Sequence, residues 1–495
     1  MNGMALPISL YSTAQVRALD AHAIGELGVP GYELMKRAGE AGLRYLRTRW
    51  PMAHRLVIAC GGGNNGGDGY VLARLAQAAG LGATAVPVIA PERLRGDALM
   101  AYEDYMAGDG QLKSFTPELF RAGDVIVDAL LGTGLRGAVQ EDIGKVIRQI
   151  NSAGRPVFAV DIPSGLDGDT GVPLGDTVRA DCTVTFVGLK TGLFTGDGPE
   201  YAGTVFFDDL DIAPPAVAQF KPRLVRIVEA EIQHALPRRA RASHKGDFGR
   251  VLIVGSGAGM PGATRLAGEA CLRVGAGLVT VAVAPENVSA IAAGRPELIC
   301  LPLTGEDVLN EALERASVVA VGPGLGQSAW ARSALTRVLQ SEKPLVVDAD
   351  ALNLVAEGPA AARENWILTP HPGEAARLLS ISTDEVQRDR LTALDRLLER
   401  YHGTIVLKGA GTLVGSSSHT PGLCERGNPG MASAGMGDVL TGAIAGILAQ
   451  CRDPWLAARA GVLVHAIAGD AVARGGERGL LAGDVARELH HCVNL

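Results

Sequence analysis

Aromatic residues make up only 4% of the chain, too few for the stacking platforms that hold single-stranded nucleic acid. Basic charge is also short. Lys and Arg number 46 against 53 Asp and Glu, and both halves of the chain are net acidic, so neither is a phosphate-backbone-binding domain. The uncharged stretch 439–451 falls well short of the ~20 apolar residues that span a bilayer. The seven cysteines (60, 182, 271, 300, 424, 451 and 492) form no Cys-x-x-Cys pair, and an odd, dispersed set reads as reduced thiols in a cytoplasmic protein. Residues 1–10 lack a basic segment followed by an apolar core, so no export signal is expected. Nucleic-acid and membrane partners are therefore not expected, and a homo-oligomer is the expected assembly.

What is present is an ordinary globular balance, 47% hydrophobic and 20% charged, over 495 residues, enough for two or three domains. Residues 12–49 have helical spacing (Val16, Leu19, Ala23, Leu27), broken at Gly28-Val29-Pro30-Gly31. Short apolar runs at 56–59, 85–89, 125–129, 157–160 and 183–187 then alternate with helical patterns, which predicts a parallel sheet covered on both faces. Residues 211–222, with Pro214-Pro215 and Pro222, interrupt the alternation and read as a linker. The pattern restarts at 251–254, 279–283, 318–321, 345–347, 366–368 and 405–407, and the last ~60 residues read as helices around a loop at 474–479. The halves share no repeat. The chain is α/β, with two different domains.

In the first half a strand runs into Gly61-Gly62-Gly63-Asn64-Asn65-Gly66-Gly67-Asp68, with a helix expected from Tyr70. Such a turn suits an anion at the helix start, or simply tight packing. It satisfies Gly-x-Gly-x-x-Gly, but the acid expected about 20 residues later is missing, so a standard nicotinamide site is not indicated. Asn64 and Asn65 read as ligand-facing amides. Two further strand ends carry Asp128 and Asp161-Ile162-Pro163-Ser164. In an open parallel sheet these converge outside the carboxyl ends of the strands, where Asp128, Ser164 and an Asn oxygen offer hard ligands to a cation. Loop capping by the aspartates is the structural alternative. Lys190, after the 183–187 run, could add a positive charge near the site, but a solvated surface lysine is the expectation.

These residues resemble the NAD(P)H-hydrate epimerases over about 10–215, on Asn64–Gly69, Asp128 with Gly132-Thr133-Gly134, and Asp161–Gly165. The resemblance implies a Rossmann-like domain at 1–220 that interconverts the R and S hydrates of NADH and NADPH. It implies K⁺ held by Asn65, Asp128 and Ser164. Substrate would lie against Asn64, Asn65, Gly66, Gly67 and Asp68, the loop Gly132, Thr133, Gly134, Leu135, Arg136, Gly137 and Ala138, and a catalytic Asp161.

In the second half, Gly435-Met436-Gly437-Asp438 opens an apolar helix. Free N–H groups, the helix dipole and a carboxylate then meet at one point, as phosphoryl transfer requires. A glycine-rich start capped by Asp438 is the structural alternative. The dipole leads us to expect Asp438 ionised at neutral pH. Lys408-Gly409-Ala410-Gly411-Thr412 ends a strand in a turn suited to nucleotide, although it is no Walker loop. In Thr369-Pro370-His371-Pro372-Gly373-Glu374, His371 is a substrate contact or a structural group, and Glu374 a water-mediated Mg²⁺ ligand.

Gly-x-Gly-Asp on a late helix resembles the ribokinase-like fold. With Ser243–Gly249, Gly322–Gly326 and Thr369–Glu374 it is similar to the ADP-dependent NAD(P)H-hydrate dehydratases over about 226–490. That resemblance implies a domain at 223–495 that dehydrates the S hydrate, consumes ADP with Mg²⁺, releases AMP and phosphate, and restores NAD(P)H. Ala263, Gly326, His371 and the catalytic Asp438 would face the hydrate. Lys408, Gly409, Ala410, Gly411, Thr412 and Gly437 would meet the adenine nucleotide. The alternative is a ribokinase-like small-molecule kinase with a non-catalytic nucleotide-binding module in front.

Overall fold

The computed structural model describes residues 6–212, 217–358 and 362–494, and the chain divides into units at 1–224 and 225–495. Pro214 and Pro215, the centre of the expected linker, lie outside the described residues.

The first unit holds a seven-stranded parallel sheet. Its spatial order is Gln111–Leu112, Gly82–Pro87, Arg55–Cys60, Val125–Ala129, Val157–Val160, Cys182–Phe186 and Thr204–Asp208. Pleating sends Leu56, Ile58 and Cys60 to one core, under the helices Thr13–Gly25, Gly31–Arg49, Asn64–Ala78 and Gly96–Ala107. Val57 and Ala59 point to the other, under Pro117–Ala122 and Glu141–Ser152. The order reverses between Arg55–Cys60 and Val125–Ala129, which creates the crevice where open α/β sheets bind ligands.

Two differences from the sequence reading have local causes. The helix expected from Tyr70 begins at Asn64, with Gly63 as its N-cap and Gly66 and Gly67 within its first turn. A Cβ on Gly66 would sit 2.1 Å from the Gly61 carbonyl oxygen, so close packing onto the preceding turn, rather than helix propensity, selects glycine there. The edge strand Thr204–Asp208 went unread because its residues are half-exposed and form no buried apolar run.

The second unit carries parallel strands in the order Ile299–Pro302, Leu278–Val283, Arg250–Val254, Val318–Val321, Leu345–Val347, Trp366–Leu368 and Thr404–Leu407. An antiparallel hairpin, Thr412–Ser416 and His419–Cys424, extends the sheet. Helices Pro261–Arg273, Met436–Cys451, Pro454–Val472 and Ala482–Cys492 pack on one face. The Pro454 helix is long and apolar enough to cross a membrane by length and composition, a property the charged Arg459 concealed in the sequence. Residues 457–469 of this helix are all buried within the unit.

Candidate active sites

In the first unit a cavity of about 570 Å³ opens at the sheet crevice. Asn64, Asn65 and Asp68 line it from the first turn of their helix, and Gly132, Thr133, Gly134, Leu135 and Arg136 from the loop after Val125–Ala129. Asp161 joins them from the end of Val157–Val160. Gly66 and Gly67 are buried in the helix wall, Gly67 against Met35, and do not line the cavity. Gly137 and Ala138 lie beyond it, exposed.

Asp128 is fully buried. Its Oδ1 accepts from Ser164 Oγ at 2.6 Å and from the Leu130 amide at 3.2 Å, and its Oδ2 accepts from the Ser164 amide at 2.8 Å. Ser164 Oγ in turn accepts from the Leu131 amide at 2.8 Å, tying the strand end to the cavity loop. Burial pushes the Asp128 carboxyl up to about 6, against the pull of these donors. Both polar atoms of the Asn65 side chain are buried without a hydrogen-bond partner among the described residues. A buried amide left unpaired costs about 1–3 kcal/mol, and this one lines the cavity. Asp128 and Ser164 lie behind the cavity wall, bonded to each other, and do not line it.

Lys190 is not a surface lysine. It is 1% exposed and ion-paired with Asp161, and its ammonium also donates to Thr185 Oγ1 at 3.0 Å and the Phe186 carbonyl at 2.9 Å. The strand Leu189–Lys190 turns its side chain inward, which the polar residue type alone did not signal. Asp20 and Arg17 also line the cavity, from the helix Thr13–Gly25, and Arg17 donates to the Thr133 carbonyl at 2.8 Å. No motif marked them, since only tertiary packing brings that helix to the crevice.

In the second unit Gly435 adopts a left-handed conformation (φ 89°) and starts the helix that presents Asp438 in its first turn. Asp438 is half-buried and faces Asp348, Asp350 and Lys408. The expectation that it is fully ionised at neutral pH is wrong. Burial, then the Asp348 carboxylate, raises it to about 7, despite Lys408. A helix dipole is worth under about 1 kcal/mol at most sites, whereas burial shifts carboxyls by up to 3–5 units.

Lys408 bridges the cluster. Its ammonium lies 2.8 Å from Asp348 Oδ1 and 3.7 Å from Glu374 Oε2, beside Gly437. Asp348, 1% exposed, also accepts from Thr441 Oγ1 at 2.8 Å. Asp350 accepts from the Gly326 amide at 2.8 Å, and Ala263 packs against the adjacent Gly324 turn. His371 caps its own helix: Nδ1 accepts from the Gly373 and Glu374 amides at 3.0 and 3.3 Å, and Nε2 lies 3.4 Å from Glu374 Oε1. Burial and the nearby Lys408 lower its pKa, so it is neutral near pH 7. The turn Gly409, Ala410, Gly411 and Thr412 is held by the buried Arg390, which donates to the carbonyls of Leu407, Lys408 and Gly411 at 3.2–3.3 Å. Arg390 was missed, being distant in sequence. Asp348 was missed despite a readable signal, an acid at the carboxyl end of a strand, the same rule that found Asp128 and Asp161.

Charged and polar groups gathered at the carboxyl ends of parallel strands in each unit define a two-site α/β enzyme, Rossmann-like in its first unit and ribokinase-like in its second. A family model described as NAD(P)H-hydrate dehydratase matches residues 251–491, and one described as YjeF-related protein N-terminus matches 31–192. The bifunctional NAD(P)H-hydrate repair enzyme Nnr of Coxiella burnetii is 48% identical over 98% of this chain and 99% of its own. That of Escherichia coli is 44% identical over 100% and 95%. A ribokinase-like superfamily protein from Enterococcus faecalis is similar in structure (TM-score 0.52, 29% identity), over 56% of this chain and 97% of its own. The chain belongs to the family of bifunctional NAD(P)H-hydrate repair enzymes.

Proposed function

We propose that the first unit epimerises the R and S hydrates of NADH and NADPH, and that the second dehydrates the S hydrate at the expense of ADP. The observation that carries this reading is Asp438, a titratable carboxyl placed among the free amides of a helix start and beside Lys408. Hydroxide is a poor leaving group. Asp438 takes the proton of the substrate hydroxyl as that oxygen attacks the terminal phosphoryl group of ADP. The amides at Gly435 to Gly437 hold the migrating charge, and AMP departs. The phosphorylated hydroxyl then leaves as phosphate with the carbon–oxygen electron pair, the adjacent ring carbon loses a proton to solvent, and the electrons of that carbon–hydrogen bond re-form the nicotinamide double bond. Lys408 and the 409–412 turn are the nucleotide side of the site, and Ala263, Gly326 and His371 the hydrate side. Mg²⁺ bound with ADP would neutralise phosphate charge, and Glu374, 3.7 Å from Lys408, would hold it through water.

Two activities in one chain follow from chirality. A site hydrogen-bonded to one epimer leaves polar groups unpaired against the other, so a dehydratase alone clears part of the damage. Incubating the enzyme with hydrated NADH, ADP and Mg²⁺ should restore the reduced nicotinamide absorbance, and omitting ADP should abolish the return. A stable phosphorylated product instead of free phosphate would make the protein a kinase.

Asn65, Asp128 and Ser164 hold K⁺ in this reading, and the orphaned Asn65 amide supports it. Bound there, the cation would fix the loop that carries Gly132 to Arg136. Asp128→Ala should lower epimerisation by at least about 10–100-fold, the usual cost of disturbing a metal's surroundings. ADP-dependent dehydration of the S hydrate should be unchanged. Epimerisation rates in K⁺ and in choline salts check this, and equal rates for the wild type in both would remove the cation from the account.

A further inference from the structure

We infer that Asp68 and Asp161 are the acid and the base that open and reclose the hydrated nicotinamide ring, so that the two epimers interconvert through a ring-opened aldehyde. This rests on reading the first unit as the epimerase and supplies its chemistry. An enamine is protonated on carbon, so water adds to the carbon bonded to the ring nitrogen and the hydrate is a carbinolamine. Such a centre inverts without redox chemistry if the carbon–nitrogen bond opens, which calls for one group to take the hydroxyl proton and another to protonate the nitrogen.

The cavity supplies two carboxyl groups in opposite situations. Every hydrogen bond the Asp161 carboxylate accepts among the described residues falls on Oδ1: from Lys190, from Thr185 Oγ1 at 3.4 Å and from the Phe186 amide at 3.4 Å. Oδ2 is left for the cavity. The ammonium beside Asp161 is committed to it, to Thr185 and to Phe186, so its three donors are taken up within the protein. Asp161 is also held at φ 67°, a left-handed conformation uncommon for residues other than glycine, which fixes the direction of its side chain. Asp68 has no such partner. Its carboxyl makes no hydrogen bond among the described residues, and it lines the same cavity with Asp161 and Asp20 nearby. Burial, then the negative charges of Asp161 and Asp20, raise its pKa well above the usual carboxylate range, with Lys190 opposing. Asp20 is itself raised to about 6, chiefly by burial. One carboxyl beside an ammonium and another without any polar partner in the same cavity suit a base and an acid.

The step balances. Asp161 takes the hydroxyl proton and the carbon–oxygen double bond forms. The carbon–nitrogen bond breaks with its electron pair going to nitrogen, and nitrogen takes the proton of Asp68. Rotation about the bond to the carbonyl carbon presents its other face. The nitrogen then attacks, returning its proton to Asp68, and the new alkoxide takes the proton from Asp161. Both carboxyl groups end as they began.

The test uses the full chain and pure R hydrate, with formation of the S hydrate followed by chromatography. Asp68→Asn should slow epimerisation by about 10²–10⁴-fold with little change in KM, and Asp68→Glu should recover part of the rate. Borodeuteride added during wild-type turnover should reduce the aldehyde and leave deuterium on an opened chain, above the enzyme-free level. An unchanged KM for the R hydrate together with a wild-type thermal melting curve reports folding of the first unit in each variant. Wild-type enzyme that does not interconvert the hydrates defeats the epimerase reading itself. Interconversion by the wild type with full activity in Asp68→Asn, or with no trapped opened chain, overturns this proposal alone.

Discussion

Asp438→Asn should lower ADP-dependent dehydration by about 10²–10⁴-fold, the usual contribution of a positioned base, while epimerisation by the first unit continues at the wild-type rate. The substitution keeps the side chain's shape at the helix start and removes only its basicity. Its pH behaviour separates a base from a structural cap. Asp438 titrates at about 7, so the wild-type rate should climb about tenfold per unit below that value, as the carboxylate forms, and level off above about 8. The variant's residual rate should lack that rise.

Stability should move the opposite way. A carboxyl raised from 3.8 to about 7 by folding contributes stability at low pH that is lost as pH rises through the folded value. The ionised base that chemistry requires therefore destabilises its surroundings, and Asp438→Asn should melt no lower than the wild type at pH 8. Initial rates across pH 5.5–9 and melting at pH 8 check both halves. Near wild-type dehydration by Asp438→Asn would sink the assigned role.

The strands at Val125–Ala129, Val157–Val160, Val318–Val321, Leu345–Val347 and Trp366–Leu368 were legible because residues buried on both sheet faces leave unbroken apolar runs. Edge positions were not. Ile299–Pro302 is largely exposed, and the Thr412–Ser416 and His419–Cys424 hairpin carries Gly, Pro and Ser, which read as loop. Polar residues at the ends of buried strands marked Asp128, Asp161 and Ser164, since a strand's carboxyl end has few uses for a charge other than a site. Lys190, Asp20 and Arg390 carried no such mark. Each is placed by packing between segments far apart in sequence, and no local pattern records that. The Asp438 error was one of magnitude: the helix dipole was counted, and two neighbouring carboxylates and the loss of water were not.

Lys408→Met should be the most destabilising single change in the second unit, by about 3–5 kcal/mol, as expected when one partner of a buried ion pair is removed. Lys408 stands against Asp348 and Glu374, 1% and 5% exposed, with Asp438 close by. Burial alone would lower its pKa, yet the surrounding carboxylates outweigh that and raise it, so the ammonium is the group that makes this acidic cluster tolerable. Without it, Glu374, already raised chiefly by burial, and Asp438 must take up protons to remain inside. The loss should therefore be larger at pH 8, above the value of about 7 for Asp438, than at pH 5, below it. Asp348→Asn placed on the same chain removes the charge left behind while keeping an oxygen for the Thr441 hydroxyl, and should recover much of the stability but none of the dehydration. Urea unfolding of the second unit at the two pH values, for the single and double variants, measures this coupling. Equal stability of Lys408→Met and wild type at pH 8 would mean that Lys408 serves nucleotide alone and that the fold tolerates the carboxylates without it.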